Sequence, residues 1–83
     1  MRLQVGTVVC AIAGKEQNNF YLIVKTDENY VWLADGRHRT MQNPKRKNPK
    51  HVRPTQTRWD TDGMTDAGLR KKLRLFKEGN KFV

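Results

Sequence analysis

Residues 37–58 restrict the possible folds more than any other part of this sequence. They contain eight Lys and Arg side chains and three prolines but no Asp or Glu. Proline cannot donate a backbone hydrogen bond and like charges repel one another, so residues 43–50, which hold two of these prolines, cannot form a central strand or a helix interior. We expect residues 43–50 to form an exposed basic loop. The hydrophobic core must come from the segments on either side.

The segment before this basic block is close to neutral, with three basic and four acidic side chains in residues 1–36. Its apolar residues fall into three short runs that are typical of β-strands, at residues 5–12, 20–24 and 30–34. Asp35-Gly36 is a strong hairpin-turn signal, which predicts that residues 37–41 return as a fourth strand.

A fifth strand is predicted at residues 51–55, with Val52 pointing inward and Pro54 ending the pairing. Short strands joined by tight loops favour a mainly β fold, and five of them in this arrangement predict a small antiparallel barrel.

The C-terminal part changes to a helical period. Leu69, Leu73 and Phe76 fall on one helix face, most of the remaining surface is basic, and Thr65 is suited to cap the N-terminus. We predict an amphipathic basic helix at residues 65–78 that packs on the barrel. The expected organisation is one domain, with a barrel at residues 1–55, a linker at 56–64 and the helix.

Size and composition argue against an enzyme. A chain of 83 residues has a thin core, which leaves little room for an enclosed, water-excluded reaction centre. We therefore expect no catalytic residues, no cofactor and no small-molecule substrate. His38, His51 and the single Cys10 lack metal-ligand spacing, so we expect no metal site.

The formal net charge of +9 favours a polyanionic partner, and nucleic acid is the commonest one for a small basic domain. A lone cysteine favours a reducing compartment. The sequence shows neither a signal-peptide pattern nor an apolar stretch long enough to span a bilayer. The expected location is the cytoplasm, with no membrane contact.

Two segments resemble a known family. Residues 5–15 pair a strand of apolar residues with Gly14-Lys15 in the following loop, and this resembles the KOW motif. Residues 31–36, followed by basic residues and Pro-Lys, resemble the KOW-containing ribosomal proteins of the archaeal and eukaryotic large subunit. They look closer still to the small KOW-domain RNA-binding proteins of Firmicute-type bacteria. The resemblance extends from residue 5 to about residue 54.

The resemblance implies an SH3-like five-stranded barrel that binds ribosomal RNA or acts in translation, with the Gly14-Lys15 loop near phosphate. One departure is that Glu16-Gln17-Asn18-Asn19 stands where many KOW sequences are more basic. This shifts the expected RNA contact towards the basic residues after Asp35.

The charge of the basic block predicts phosphate contacts independently of the resemblance to the KOW family. Arg37 and Arg39 lie two apart on the predicted fourth strand and would share a face, where guanidinium groups can bind phosphates bidentately. The lysines and arginine of residues 43–50 would follow a sugar-phosphate backbone. The predicted RNA-binding residues are Lys15, Arg37, Arg39, Lys45, Arg46, Lys47, Lys50, His51 and Arg53.

Two further features leave alternatives open. Arg70, Lys71 and Arg74 of the predicted helix either make a second RNA contact or only form a soluble face. Tyr30 and Trp32 share a strand face, where they either stack on unpaired bases or pack in the core.

The sequence thus predicts an RNA-binding protein of the ribosome or its surroundings, which contacts rRNA of the large subunit and has ribosomal proteins as possible neighbours. The alternative is a protein-binding KOW adaptor of the transcription or translation machinery. DNA binding would have the same electrostatics.

Overall fold

A computed structural model describes residues 3–15 and 18–79. Within these residues, five β-strands are followed by one α-helix. The strands are β1 Thr7–Ala11, β2 Phe20–Thr26, β3 Val31–Ala34, β4 Lys45–Lys47 and β5 Val52–Arg58, and the helix is α1 Asp66–Gly79. A short 3-10 helix, Pro49–His51, lies directly before β5.

The strands form a single antiparallel sheet in the order β4-β3-β2-β1-β5. The mainly β fold with five antiparallel strands and a C-terminal helix is therefore as predicted. The sheet is open, with β4 and β5 at its two edges. The register shifts once between β1 and β5 and once between β2 and β3, and such bulges bend a sheet.

The prediction of a fourth strand at residues 37–41 is wrong. Asp35 folds this segment into a turn, because its carboxylate accepts hydrogen bonds from the backbone N–H groups of Arg37 (2.8 Å) and Arg39 (2.9 Å). The backbone N–H groups of Asp35 and Gly36 in turn donate to the carbonyl of Arg39. The local side-chain acceptor competes with strand pairing, as is common for aspartate in turns.

The fourth strand is instead β4, inside the predicted basic loop. β4 pairs with β3 on one side, placing Lys45, Arg46 and Lys47 opposite Leu33, Trp32 and Val31. An edge position explains why a strand next to Pro44 and made only of cations is tolerated, since edge strands commonly carry charge and proline.

The last strand is longer than predicted. β5 continues to Arg58, and Pro54 does not end the pairing but lies opposite Val9. Pro54 lacks an N–H group, which an edge strand tolerates. The hydroxyl of Thr55 donates to the carbonyl of Val8 at 2.7 Å and holds β5 to β1 beyond the proline. Part of the predicted linker is therefore strand.

Alternating residues of the strands build two hydrophobic clusters on the two faces of the sheet. One cluster consists of sheet residues, with Leu3 packed against it: Val9, Ala11, Tyr21, Ile23, Val31, Leu33 and Val52. The other contains Val8, Leu22 and Ala34 together with Leu69 and Leu73 of α1. The first cluster defines what we call the inner face and the second the helix-covered face.

The helix begins as the sequence predicts. The Thr65 hydroxyl accepts a hydrogen bond from the backbone N–H of Gly68 at 3.1 Å, which is the N-cap role. Phe76 lies edge-on to Phe20 and to Trp59, with ring centroids 5.1 and 6.0 Å apart. Trp59 therefore packs beside α1 on the helix-covered face. No helix within the described ranges is both long and apolar enough to span a membrane.

The start of α1 is fixed against the turn at residues 35–41. The backbone N–H of Met41 donates to the carboxylate of Asp66 at 2.8 Å, and Arg70 Nη1 donates to the carbonyl of Gly36 at 2.6 Å. Gly36 has φ +76°, and a Cβ atom built there would lie 2.3 Å from the carbonyl oxygen of Asp66. The turn and the helix thus approach to a distance that only glycine allows.

Candidate nucleic-acid interface

Four separated segments bring basic side chains to one concave surface, which we call the first basic cleft. It is lined by Lys15 in the loop after β1, Arg39 in the turn, Lys45 and Lys47 on β4, and His51 in the 3-10 helix, together with Ala13 and Gly14. The cleft therefore joins the Gly14-Lys15 loop to part of the basic block.

The strand geometry of β4 explains why two of these lysines act together. Lys45 and Lys47 lie opposite Leu33 and Val31, which belong to the inner-face cluster, so both side chains stand on the inner side of the sheet edge. Lys47 Nζ donates to the carbonyl of Ala13 at 3.3 Å, which ties β4 to the loop that carries Lys15.

A second concentration of positive charge lies between the turn and α1, and we call it the second basic cleft. Its lining combines Arg37 and His38 of the turn with Arg70, Lys71, Arg74 and Lys77 of the helix. Asp35 also lines it, but its carboxylate accepts the backbone hydrogen bonds of the turn. The contacts of Asp66 and Arg70 with the turn are what place the two segments side by side.

The predicted RNA-binding residues are thus divided among several surfaces. Arg37 and Arg39 were expected on one strand face, but the turn places Arg37 in the second basic cleft and Arg39 in the first. Lys50 and Arg53 are exposed and line neither cleft. Arg46 lies on the opposite side of β4 from its two lysine neighbours.

Arg46 takes part in a third arrangement, which we call the aromatic–cation patch. Its guanidinium carbon lies 4.5 Å from the ring centroid of Tyr30, and Lys25 Nζ lies 4.7 Å from the ring of Trp32. Both rings are partly buried, and neither belongs to the buried clusters of the two sheet faces. The sequence left two alternatives open for these rings, base stacking and core packing. Their position outside the buried clusters disfavours core packing.

Asp27 lies at the edge of this patch, in the turn between β2 and β3. The backbone N–H groups of Asn29 and Tyr30 donate to its carboxylate at 2.8 and 2.7 Å and lower the pKa of Asp27 below its ordinary value. The charges of Lys25 and Arg46 lower the pKa of Asp27 further.

The remaining acidic residues with a described contact also have structural roles. The carboxylate of Asp60 accepts the backbone N–H of Asp62 at 2.9 Å, and that of Asp66 accepts Met41 N–H. In the part of the chain that the structure describes, no group of three or more His, Cys, Asp or Glu could hold a metal ion.

Two residues that line the second basic cleft, His38 and Lys77, are not among the predicted RNA-binding residues. Lys77 lies three residues after Arg74 and seven after Arg70, a spacing that places all three on one helix face and could have revealed the group.

A scan against models of known protein families found no match for this chain.

Proposed function

We propose that this protein is an RNA-binding protein that contacts RNA phosphates through the first basic cleft and that it is not an enzyme. The observation that carries the proposal is the meeting of Lys15, Arg39, Lys45 and Lys47, from three separate segments, in one cleft. Ammonium and guanidinium groups at such a surface bind phosphate by charge-assisted hydrogen bonds and fix orientation rather than sequence.

The same cleft supports the KOW resemblance. Gly14 has φ +79°, so the loop that presents Lys15 uses a backbone conformation that favours glycine. β5 returns to pair with β1, and the sheet has two register shifts of the kind that bend a sheet, which supports the proposed SH3-like architecture. We therefore assign the chain an SH3-like KOW fold as part of the proposal.

In line with this resemblance, the proposed RNA is rRNA of the large ribosomal subunit, in the cytoplasm and with ribosomal proteins as neighbours. Arg70, Lys71 and Arg74 of the second basic cleft make the second RNA contact. Their alignment with Arg37 and His38 supports a binding role over a merely soluble helix face.

The test compares two variants with the same loss of charge in titrations of an RNA duplex at several salt concentrations. Lys45→Gln with Lys47→Gln alters the cleft, whereas Lys50→Gln with Arg53→Gln alters two exposed positions outside it. If four cleft cations bind phosphates, log affinity falls against log salt with a slope of roughly −3 to −4, and the cleft variant reduces its magnitude by about 2. The control variant changes the slope far less.

Equal losses in the two variants would assign binding to general charge rather than to the cleft, and salt-independent affinity would contradict phosphate binding altogether. Co-sedimentation with ribosomes tests the rRNA assignment. Association that survives complete nuclease digestion would favour a protein partner and the adaptor alternative.

A further inference from the structure

We infer that the aromatic–cation patch binds unpaired RNA bases, so that the RNA held by the first basic cleft is single-stranded where it crosses β4. This inference rests on the proposed RNA binding and specifies the class of RNA. The occupant is a nucleobase because the patch combines aromatic rings with positive charge, which matches stacked bases joined by phosphates.

The two aromatic rings lie on one side of the sheet, beyond the part that α1 covers. Tyr30 and Trp32 flank Val31 and share the side of β3 that also carries Ala34. Ala34 is covered by Leu69 and Leu73 of α1, whereas Trp32 is not part of that cluster. The helix therefore covers one end of β3 on this side, and the aromatic residues lie beyond it and are partly exposed.

A positively charged side chain lies over each of the two rings. Arg46 is exposed and lies over Tyr30, so its guanidinium group extends the aromatic surface towards solvent. Bases stack on arginine guanidinium planes as well as on aromatic rings. Lys25, at the Trp32 ring, supplies a second positive charge for the adjoining phosphates. The carboxylate of Asp27 lies at the edge of this site, and its oxygen already accepts two backbone hydrogen bonds.

The two rings are spaced more widely along the strand than stacked bases are in a duplex. Residues two apart on a strand are separated by about 6.6 Å along its axis. Stacked bases in a duplex are roughly 3.4 Å apart. Two rings at the wider spacing fit bases that have left the regular stack, which favours a loop, bulge or single strand over a helix.

β4 contributes side chains to both the first basic cleft and the aromatic–cation patch. Its three residues alternate, so that Lys45 and Lys47 belong to the first basic cleft while Arg46 belongs to the aromatic–cation patch. A strand of RNA that passes over this sheet edge meets phosphate-binding groups on one side and a stacking surface on the other.

The first experiment uses fluorescence. The chain has two tryptophans, so Trp59→Phe leaves Trp32 as the sole reporter, and a thermal melt checks that this variant is folded. Titration with a short oligouridylate is expected to change the Trp32 emission. Titration with an abasic strand of the same length, which has the phosphates without the bases, is expected to bind without that change.

The second experiment measures affinity for the same two strands. Trp32→Leu is expected to weaken oligouridylate binding roughly 5- to 150-fold, the loss typical of removing one base-stacking ring, and to leave binding of the abasic strand unaltered. Trp32→Phe keeps a ring and is expected to restore most of the affinity. The double variant Lys45→Gln with Lys47→Gln is expected to weaken binding of both the oligouridylate and the abasic strand.

The outcomes separate the two proposals. If Trp32→Leu binds both strands as the parent does, the stacking site is refuted while phosphate binding by the cleft survives. If Trp32→Leu weakens both strands equally, Trp32 acts through the fold and the stacking site is again refuted. If the parent protein binds neither strand nor a duplex, both proposals fail.

Discussion

Replacing Gly36 by alanine tests the close approach of the turn to α1. The new Cβ atom would point at the carbonyl oxygen of Asp66, at 2.3 Å, and at Arg70 Cγ, at 3.2 Å. The carbonyl oxygen belongs to the helix backbone and cannot rotate away. Gly63 provides the matched control, because it also has positive φ, +72°, but among the described residues other than its two chain neighbours none has an atom within 4 Å of its Cβ position.

The two sites separate two costs. An alanine in the left-handed conformation costs about 1–2 kcal/mol at either position. Overpacking adds about 1–3 kcal/mol at Gly36 only. The expected loss is therefore about 2–5 kcal/mol for Gly36→Ala and about 1–2 kcal/mol for Gly63→Ala. The first value is a large part of the total stability of a domain of this size, roughly 4–12 kcal/mol.

The assay is thermal unfolding followed by circular dichroism, with urea unfolding as a second measure of the free energy. For a domain of this length, 1 kcal/mol lowers Tm by roughly 4–8 °C, so the Gly36 variant should melt well below the Gly63 variant. Equal Tm values for the two variants would refute the steric argument and leave only the cost of the backbone conformation. Because the turn carries Arg37, RNA binding through the second basic cleft should weaken as Gly36→Ala unfolds.

Three further predictions concern the helix, pH and catalysis. Thr65→Ala removes the helix cap seen in the Gly68 hydrogen bond and should lower the free energy of unfolding by about 0.5–2 kcal/mol in urea titrations; an unchanged midpoint would show that the cap contributes nothing. The pKa of Asp27 is lowered in the folded protein from its ordinary value of 3.8, so its ionised form stabilises the fold above that pH, and this stabilisation is lost as pH falls through the lowered pKa. Asp27→Asn should therefore have a shallower fall in Tm below pH 3.8 than the parent, and parallel curves would contradict the assignment. The purified protein should show no hydrolase, nuclease or transferase turnover with or without divalent metal, and a metal-dependent activity that Asp60→Asn abolishes would overturn this.

The sequence predicted those elements whose residues bury a regular apolar face. Leu69 and Leu73 recur at helical spacing, and the α1 they predict begins one residue after its cap at Thr65. The first three strands likewise follow from apolar runs. Gly36 has the positive φ that an Asp-Gly turn favours, but the hairpin into a fourth strand at residues 37–41, which this turn signal predicted, is wrong.

β4 could not be predicted in the same way. Lys45–Lys47 has no apolar residue, and it forms a strand because β3 offers an unpaired edge to which three extended residues can bond. A strand of this kind is determined by its partner rather than by its own side chains.

The division of the basic residues into two clefts was also beyond a reading of spacing. It follows from one carboxylate, that of Asp35, which folds the backbone so that Arg37 and Arg39 leave the common face that a strand would give them. Arg70 then brings α1 to Arg37 through its bond to Gly36. Such contacts between distant segments are set by tertiary packing and carry no local signal.

The charge of β4 has a consequence for solubility. β4 ends the described sheet, so one side of its backbone has no neighbouring strand, and exposed edges of this kind can pair with a second molecule and lead to aggregation. Three consecutive cations between Pro44 and Pro49 oppose such pairing, because two copies would place like charges and rigid prolines against each other. If the protein binds RNA as proposed, the RNA neutralises those charges but also covers the edge with its own bulk, so the edge is protected by repulsion in the free protein and by the ligand in the complex. Apolar substitutions in β4 would remove this repulsion and promote self-association of the free protein.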